Sequence, residues 1–307
     1  MKRLTVIVVL LLVPACSDMT CSQNRHRAIR YMNDGIKKFS DGLHEPALND
    51  LQAAVREDDS FSLAHYNLAK VYQEMKRWDD AQRHLNRVVG FEPNNPRFHY
   101  ELGICYQMLD RLDLSQKEYD TALSLNPLLY AAHFRRGTIY MGLDKPREAD
   151  AAFRKTIEIN PRFTRAFVKL GILYLNYDYP ELAMQVLQTG VQINESGEDS
   201  AEAYNILGVA YQMLKQYDKA IASFKKALEL KNDLYDTIYN LGMTYADANR
   251  LKEAEEALTR FTKAAAGKRG VDPDFIRAAH DKIAELAGSG EGTGGGTGVG
   301  APPSKAP

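Results

Sequence analysis

The chain has 307 residues, and 39 Lys and Arg against 40 Asp and Glu give a net charge of −1, which leaves no electrostatic case for nucleic acid. Its 45% hydrophobic and 26% charged residues are ordinary for a soluble helical protein, and three cysteines are too few to hold a fold together through disulfides.

In chain order, Lys2 and Arg3 precede a ten-residue apolar run, residues 4–13. Ten helical residues cover about 15 Å, half a bilayer core, so the run is predicted as the core of a signal peptide and not as a membrane span. Val13-Pro14-Ala15-Cys16 resembles a bacterial lipobox. That resemblance implies removal of residues 1–15, a diacylglycerol on the Cys16 thiol and an acyl chain on its freed amine. Several acyl chains, at about 0.8 kcal/mol per buried methylene, make a stable anchor. Ser17, where aspartate would resemble an inner-membrane retention signal, implies the periplasmic face of the outer membrane. The alternative is ordinary signal-peptidase cleavage at the same bond, leaving Cys16 and Cys21 to pair in an oxidising compartment. Residues 16–27 form a short linker on either reading.

From Ala28 the sequence repeats. Units starting at Ala28, Ser62, Pro96, Tyr130 and Thr164 are spaced by 34 residues; a step of 37 reaches Ala201 and one of 34 reaches Tyr235. The eighth position of each holds Gly35, Ala69, Gly103, Gly137, Gly171, Gly208 and Gly242. The eleventh is tyrosine in all but the first unit, from Tyr72 to Tyr245, and the twentieth is Ala or Ser, from Ala47 to Ala254. Apolar residues at i, i+3/i+4 and i+7 in two runs per unit predict two amphipathic helices joined by a short polar turn, such as 215–218 in the sixth. The small residues mark close helix crossings. This pattern resembles the tetratricopeptide repeat. The resemblance implies an all-α, right-handed superhelix of about seven helix-turn-helix repeats over residues 28–287, growing around one continuous core.

Within it the first repeat is atypical, with Asp34 in place of the usual leucine and Lys38 in place of the tyrosine, as suits a terminal unit. Gly190 gives the fifth repeat a loose end, and the polar stretch 194–200 carries the three extra residues. That stretch reads either as a point of flexure or as a tolerated surface loop. After the seventh repeat, Asp272 caps a helix with Pro273 at its first position, and Ile276, Ala279, Ile283 and Leu286 line one face. Residues 272–287 are thus expected to cap the stack, with Gly288 as the stop. The Gly/Pro-rich tail, residues 288–307, is expected to be disordered, spanning about 25 Å.

Reacting centres are scarce. His65, His99 and His133 share the fourth position of successive repeats. Equivalent positions on stacked helices lie at least about 8–10 Å apart, whereas zinc needs its nitrogens about 2.0–2.1 Å from one centre. Tyr31 and Phe167 fill the same position, so packing is expected, with a metal stripe as the rival. His26, His44, His84 and His280 form no close-spaced ligand pair, and Cys105 occupies a core position. Nucleophile-elbow, P-loop, dinucleotide and zinc-protease motifs are missing, so no enzymatic activity, metal or cofactor is expected.

In the tetratricopeptide family the first helix of each repeat lines a concave face, chiefly through its second, fifth, sixth, ninth, twelfth and thirteenth positions. Carried onto this sequence, that implies a protein-binding groove containing Tyr66, Asn67, Tyr100, Phe134, Arg135, Arg165, Lys169, Asn205 and Tyr239. The fifth-position rings suit an apolar or amphipathic segment, or else they simply pack on their neighbours. Arg135, Arg165 and Lys169 form a basic centre, and Glu202, Asp236 and Asp247 an acidic end. Tyr100 and Ile104 replace the lysine and asparagine of the family's chaperone carboxylate clamp, which disfavours that ligand. The layout is similar to the pilotin class of type IV pilus lipoproteins. It implies a scaffold, anchored in the outer membrane and facing the periplasm, that helps assemble or localise a pilus secretin or a motility machine. The alternative is a periplasmic adaptor for polysaccharide export or cell-wall enzymes.

Overall fold

A computed structural model describes residues 18–197, 199–268 and 271–289. The signal peptide, Cys16 and nearly all of the Gly-rich tail lie outside the described residues. Those described form fifteen helices. They are α1 (Asp18–Ser40), α2 (His44–Glu57), α3 (Ser62–Glu74), α4 (Trp78–Phe91), α5 (Pro96–Met108), α6 (Leu112–Leu125), α7 (Tyr130–Gly142) and α8 (Pro146–Ile159). They continue with α9 (Thr164–Asn176), α10 (Pro180–Ile193), α11 (Ser200–Met213), α12 (Tyr217–Leu230), α13 (Tyr235–Asp247), α14 (Leu251–Ala265) and α15 (Pro273–Ser289). Odd-numbered helices from α3 to α13 begin within one residue of the repeat starts read from the sequence. Seven helix-turn-helix repeats and a capping helix result, in two compact units, residues 1–127 and 128–307.

Within a repeat the eighth and twenty-fourth positions meet. A Cβ on Gly103, Gly137 or Gly208 would lie 2.6, 2.6 or 2.5 Å from the rings of Tyr119, Phe153 or Phe224, inside any van der Waals contact. The twentieth-position residues, Ala47 through Ala254, are fully buried, and Ser115 among them satisfies its hydroxyl by donating to the Gly103 carbonyl at 2.8 Å. Between repeats, the eleventh-position tyrosine reaches the twenty-fifth residue of the repeat before it. Gln52 Nε2 donates to the Tyr72 hydroxyl at 3.0 Å, Tyr106 donates to Asn86 Oδ1 at 3.4 Å, and Gln188 Nε2 donates to Tyr211 at 2.5 Å. Tyr174 donates to Asp150 and accepts from Arg154.

The turn inside each repeat has one geometry. The residue at the sixteenth position donates its N–H to the eleventh carbonyl, as in Arg77 to Tyr72, Arg111 to Tyr106 and Gln216 to Tyr211, all at 2.8–2.9 Å. This six-to-one bond closes a Schellman motif, which needs a left-handed residue just before it. Glycine supplies it only in the first repeat, at Gly42; the others use Lys76, Asp110, Asp144, Asp178, Lys215 and Asn249, with φ between 55° and 60°.

Three expectations change. Residues 18–27, read as linker, continue α1, because Arg25 and Arg27 pair with Asp58 and Glu57 and the Arg25 guanidinium lies 4.5 Å over the Phe61 ring. Gly190 is no loose end: it is buried, and a Cβ there would sit 2.8 Å from Phe167, so glycine is what lets α10 approach α9. The inserted loop is tied down, with Asn194 Nδ2 donating to Thr164 Oγ1 at 3.0 Å, buried Ser200 donating to the Asn194 carbonyl at 2.6 Å, and Arg165 on Asp199 at 2.9 Å. The cap forms as expected, Asp272 Oδ1 accepting from the Asp274 N–H at 2.9 Å, and Ala279 and Leu286 are buried. Its helix runs past Gly288 to Ser289, since one terminal glycine costs a helix only about 1 kcal/mol.

Candidate functional site

Two histidines of the suspected row lie in the first unit, and each has a structural task. His65, 1% exposed, turns its Nε2–H to the Asp59 carbonyl at 3.0 Å; His99 turns Nε2–H to the Pro93 carbonyl at 2.8 Å. Both therefore staple the loop leading into their repeat, six residues upstream. The opposite nitrogens reach the second helix nineteen residues on: His65 Nδ1 lies 2.9 Å from His84 Nδ1, and His99 Nδ1 lies 2.6 Å from Glu118 Oε2. With Nε2 of His65 donating, its Nδ1 accepts from the Nδ1–H of a neutral His84. Burial first, and then the His65 charge, hold the His84 imidazole down at about 4; burial also lowers His65. His84, one of the four histidines that form no close-spaced ligand pair along the chain, is thus the hydrogen-bond partner of His65 in the fold. The signal that would have found it is the offset between the fourth and twenty-third positions, visible only once the helix pair is folded. His133, in the second unit, is half-buried. Among the described residues, no three His, Cys, Asp or Glu side chains are gathered as a metal site requires. Burial pushes the Cys105 thiol up to about 11, leaving it a core group and no nucleophile.

The nine candidate groove residues divide between the units. In the first unit Tyr66 is only 6% exposed, with its ring 5.2 Å from Phe98 and the Arg97 guanidinium 5.1 Å above it. Tyr100, half-buried, lies 5.9 Å from Tyr119. Asn67 donates to the Leu63 carbonyl at 2.8 Å, one turn back. In the second unit Phe134 sits between Phe153 and Phe163, at 5.8 and 5.0 Å, and Tyr239 between Phe261 and Phe275, at 5.4 and 5.0 Å. The fifth-position rings are therefore packing groups.

What the first helices of the second unit offer beside those rings is chemically mixed. Ile172, Ile206, Val209 and Met243 are half-buried and packed on the core. Arg135 and Lys169, both half-buried, hold no carboxylate among the described residues, whereas Arg165 is committed to Asp199. Glu202, Asp236 and Asp247 are exposed. One further property was invisible in the sequence. Two fifth-position residues, one per unit, bury a polar atom: the Tyr66 hydroxyl, which lies within reach of the Arg97 and Glu101 side chains, and Asn205 Oδ1, which finds no hydrogen-bond partner. Such an orphan costs about 1–3 kcal/mol, and buried polar groups in folded proteins rarely go unpaired. The geometry supports holding another chain, and among the described residues no reacting centre is assembled. Among the described residues no helix is long and apolar enough to cross a membrane.

Family models described as tetratricopeptide repeat match residues 39–100, 130–163, 201–234 and 235–267. Among curated proteins, none matches the sequence. Among solved structures, PilF of Pseudomonas aeruginosa superposes with a TM-score of 0.61 at 14% identity, over 73% of this chain and 98% of that one. PilW, a type IV pilus biogenesis factor, gives 0.58 at 17% identity, over 66% of this chain and 92% of that one. YrrB, which has an unusual peptide-binding site, gives 0.52 at 23% identity, over 64% and 97%. At these identities the likeness establishes the fold.

Proposed function

The chain is a tetratricopeptide-repeat protein, and from that premise we propose that it is a non-catalytic scaffold which holds a segment of a partner protein along the first helices of its repeats. The observation that carries this reading is the first-helix surface of the second unit, where Ile172, Ile206, Val209 and Met243 are half-buried and Arg135 and Lys169 hold no carboxylate among the described residues. Half-buried apolar side chains flanked by the cations Arg135 and Lys169 support an amphipathic segment whose acidic part lies toward α7 and α9.

The finer reading places this scaffold on the periplasmic face of the outer membrane, held by acyl chains on Cys16, where it assists assembly or localisation of an envelope complex such as a type IV pilus secretin or a motility machine. The lipobox-like sequence and the likeness in fold to PilF and PilW support it. With α1 starting at Asp18, an acylated Cys16 would hold the repeats against the bilayer surface. A periplasmic adaptor for polysaccharide export or cell-wall enzymes is the second reading, favoured if the partner proves to belong to those systems. Crosslinking in the native envelope followed by purification through this chain tests both. Capture of a secretin that is lost on Arg135→Glu/Lys169→Glu is the expected result, and capture unchanged by that pair moves the site off this face. Cys16→Ala is expected to release the chain from the outer-membrane fraction; retention there removes the anchor from the account.

A further inference from the structure

Positions three and ten of a repeat face the repeat before it: Phe98 lies 5.2 Å from Tyr66, and Cys105 accepts from Gln73 Nε2 at 3.3 Å. In all six later repeats the two positions hold small or apolar residues, buried from Ala64 and Val71 to Thr237 and Thr244. The first repeat carries Arg30 and Lys37 there, both exposed, since no described helix precedes α1 to cover them. Next to them on the same helix, Ile29 and Ile36 are 38% and 37% exposed. These two pairs of isoleucine and cation stand seven residues apart, two turns, and so form one strip along the outer side of α1. Its charge is uncompensated. Arg25, Arg27 and Lys38 are taken up by Asp58, Glu57 and Asp50, whereas Arg30 and Lys37 form no ion pair among the described residues. Asp34, exposed as well, lies further round the helix, beside Arg27 and Lys38. Solubility of a terminal helix needs no such imbalance: α15 pairs Asp274 with Arg277 and Glu285 with Lys282.

We propose that this strip is a lipid-contacting surface, in which Arg30 and Lys37 meet the phosphates of anionic phospholipids while Ile29 and Ile36 enter the boundary between headgroups and acyl chains. The contact rests on the reading of Cys16 as an acylation site. Cys16 precedes the first residue of α1 by two positions, at most about 7 Å of chain, so acyl chains there bring the helix start to the headgroups. Ile29 lies eleven residues further, about 17 Å along the helix, and reaches the same surface only if α1 lies down on it. Two cations and two isoleucines would recruit a free protein weakly. Tethering makes the encounter intramolecular, and a contact too weak to recruit is then occupied. A second copy fits the strip less well, because two-fold pairing of like helices would set Arg30 and Lys37 against the same cations. The consequence is orientation: the first repeat is fixed to the leaflet along a line and does not swing on a single point.

The full chain, extracted from membranes, is reconstituted into vesicles of phosphatidylcholine alone or of phosphatidylcholine mixed with phosphatidylglycerol, each containing a headgroup-linked quencher. A fluorophore on Asn33→Cys, between the isoleucines and the cations, reads the strip, and the same label on Glu229→Cys, exposed on α12, is the control; both carry Cys21→Ser. The Asn33 label is expected to be quenched in the phosphatidylglycerol vesicles and released by about 0.5 M salt, which shortens electrostatic reach to a few ångströms. The Glu229 label is expected to stay bright. Arg30→Glu/Lys37→Glu should abolish the quenching and Ile29→Ser/Ile36→Ser should reduce it; all four positions are exposed, so circular dichroism should stay native. Equal quenching in both vesicle types, or quenching that survives Arg30→Glu/Lys37→Glu, overturns the proposal. So does a disulfide-linked dimer of unlabelled Asn33→Cys in the vesicles, which would seat a second copy on the strip. Flotation separates this contact from the anchor beneath it. Vesicles that carry the chain with an unquenched Asn33 label keep the Cys16 reading and lose the strip, and vesicles that float without the chain lose both.

Discussion

His84 stays neutral because burial strips a charged ring of its hydration, and because that charge would stand 2.9 Å from the Nδ1 of His65. In the unfolded chain both imidazoles take up protons near 6.5, while in the fold His84 resists down to about 4. The depressed folded value means that the pair's contribution is complete above about pH 6.5 and lost as the pH falls toward 4. Allowing for partial solvent access, the loss amounts to roughly 2 kcal/mol. Denaturant melts between pH 7 and 4 should therefore show a steeper decline for the native chain than for His84→Gln; parallel declines would show that the pair does not titrate. Backbone strain gives a second expectation at this scale. Left-handed lysine costs about 1–2 kcal/mol, and glycine gives back about 0.5–1 in unfolded-state entropy. Lys76→Gly and Lys215→Gly should each stabilise the chain by about 0.5–1 kcal/mol, and Asp110→Gly by less, because aspartate tolerates that conformation better. Thermal melts of the three variants rank them.

Helix pairs are where sequence and structure agree most closely, and the reason is volume. A position that allows no Cβ, as Gly208 does with Phe224 at 2.5 Å, shows itself in a single sequence as a small residue recurring in phase. The repeat register therefore places the starts of the odd-numbered helices from α3 to α13 to within a residue. Hydrogen-bond partners were illegible, because His65 finds His84, and Tyr72 finds Gln52, through an offset that only the stacked helices create. Gly190 was misread for a related reason: its crowding comes from Phe167 on the other helix of its repeat, at a position where the neighbouring repeats carry alanine or threonine. The aromatic ladder is legible as a row of rings but not as rings already spent on packing, as Phe134 is between Phe153 and Phe163. Repeat two carries Ala69 and Leu85 at these positions, both fully buried, although in repeats one, five and seven glycine faces the leucine. Gly208→Ala alone is expected to cost about 2–3 kcal/mol by overpacking. In a double-mutant cycle Phe224→Leu should recover a large part of that, giving a favourable coupling above about 1 kcal/mol; an additive cycle would mean the ring yields without strain.

At the scale of the molecule, the buried apolar side chains gather into two clusters that follow the two units. One runs from Met32 to Cys105, the other from Ala149 to Leu286, and the larger is the second. A repeat protein's stability is approximately a sum over repeats and nearest-neighbour interfaces, so a cluster that ends is a place where cooperativity weakens. Two urea transitions are then expected in place of one. Leu51 and Leu187 are both fully buried, the first in one cluster and the second in the other, and truncating either removes comparable volume at a cost of about 2–5 kcal/mol. Leu51→Ala should displace only the transition of residues 1–127, and Leu187→Ala only that of residues 128–307. Hydrogen exchange followed by proteolysis assigns each transition to its residues, which circular dichroism alone would not. If both substitutions shift one common transition, the units fold as a single cooperative body. If they move separate ones, a partner bound along the first helices of one unit would stabilise that unit alone, and the urea melt itself then reports which unit carries the ligand.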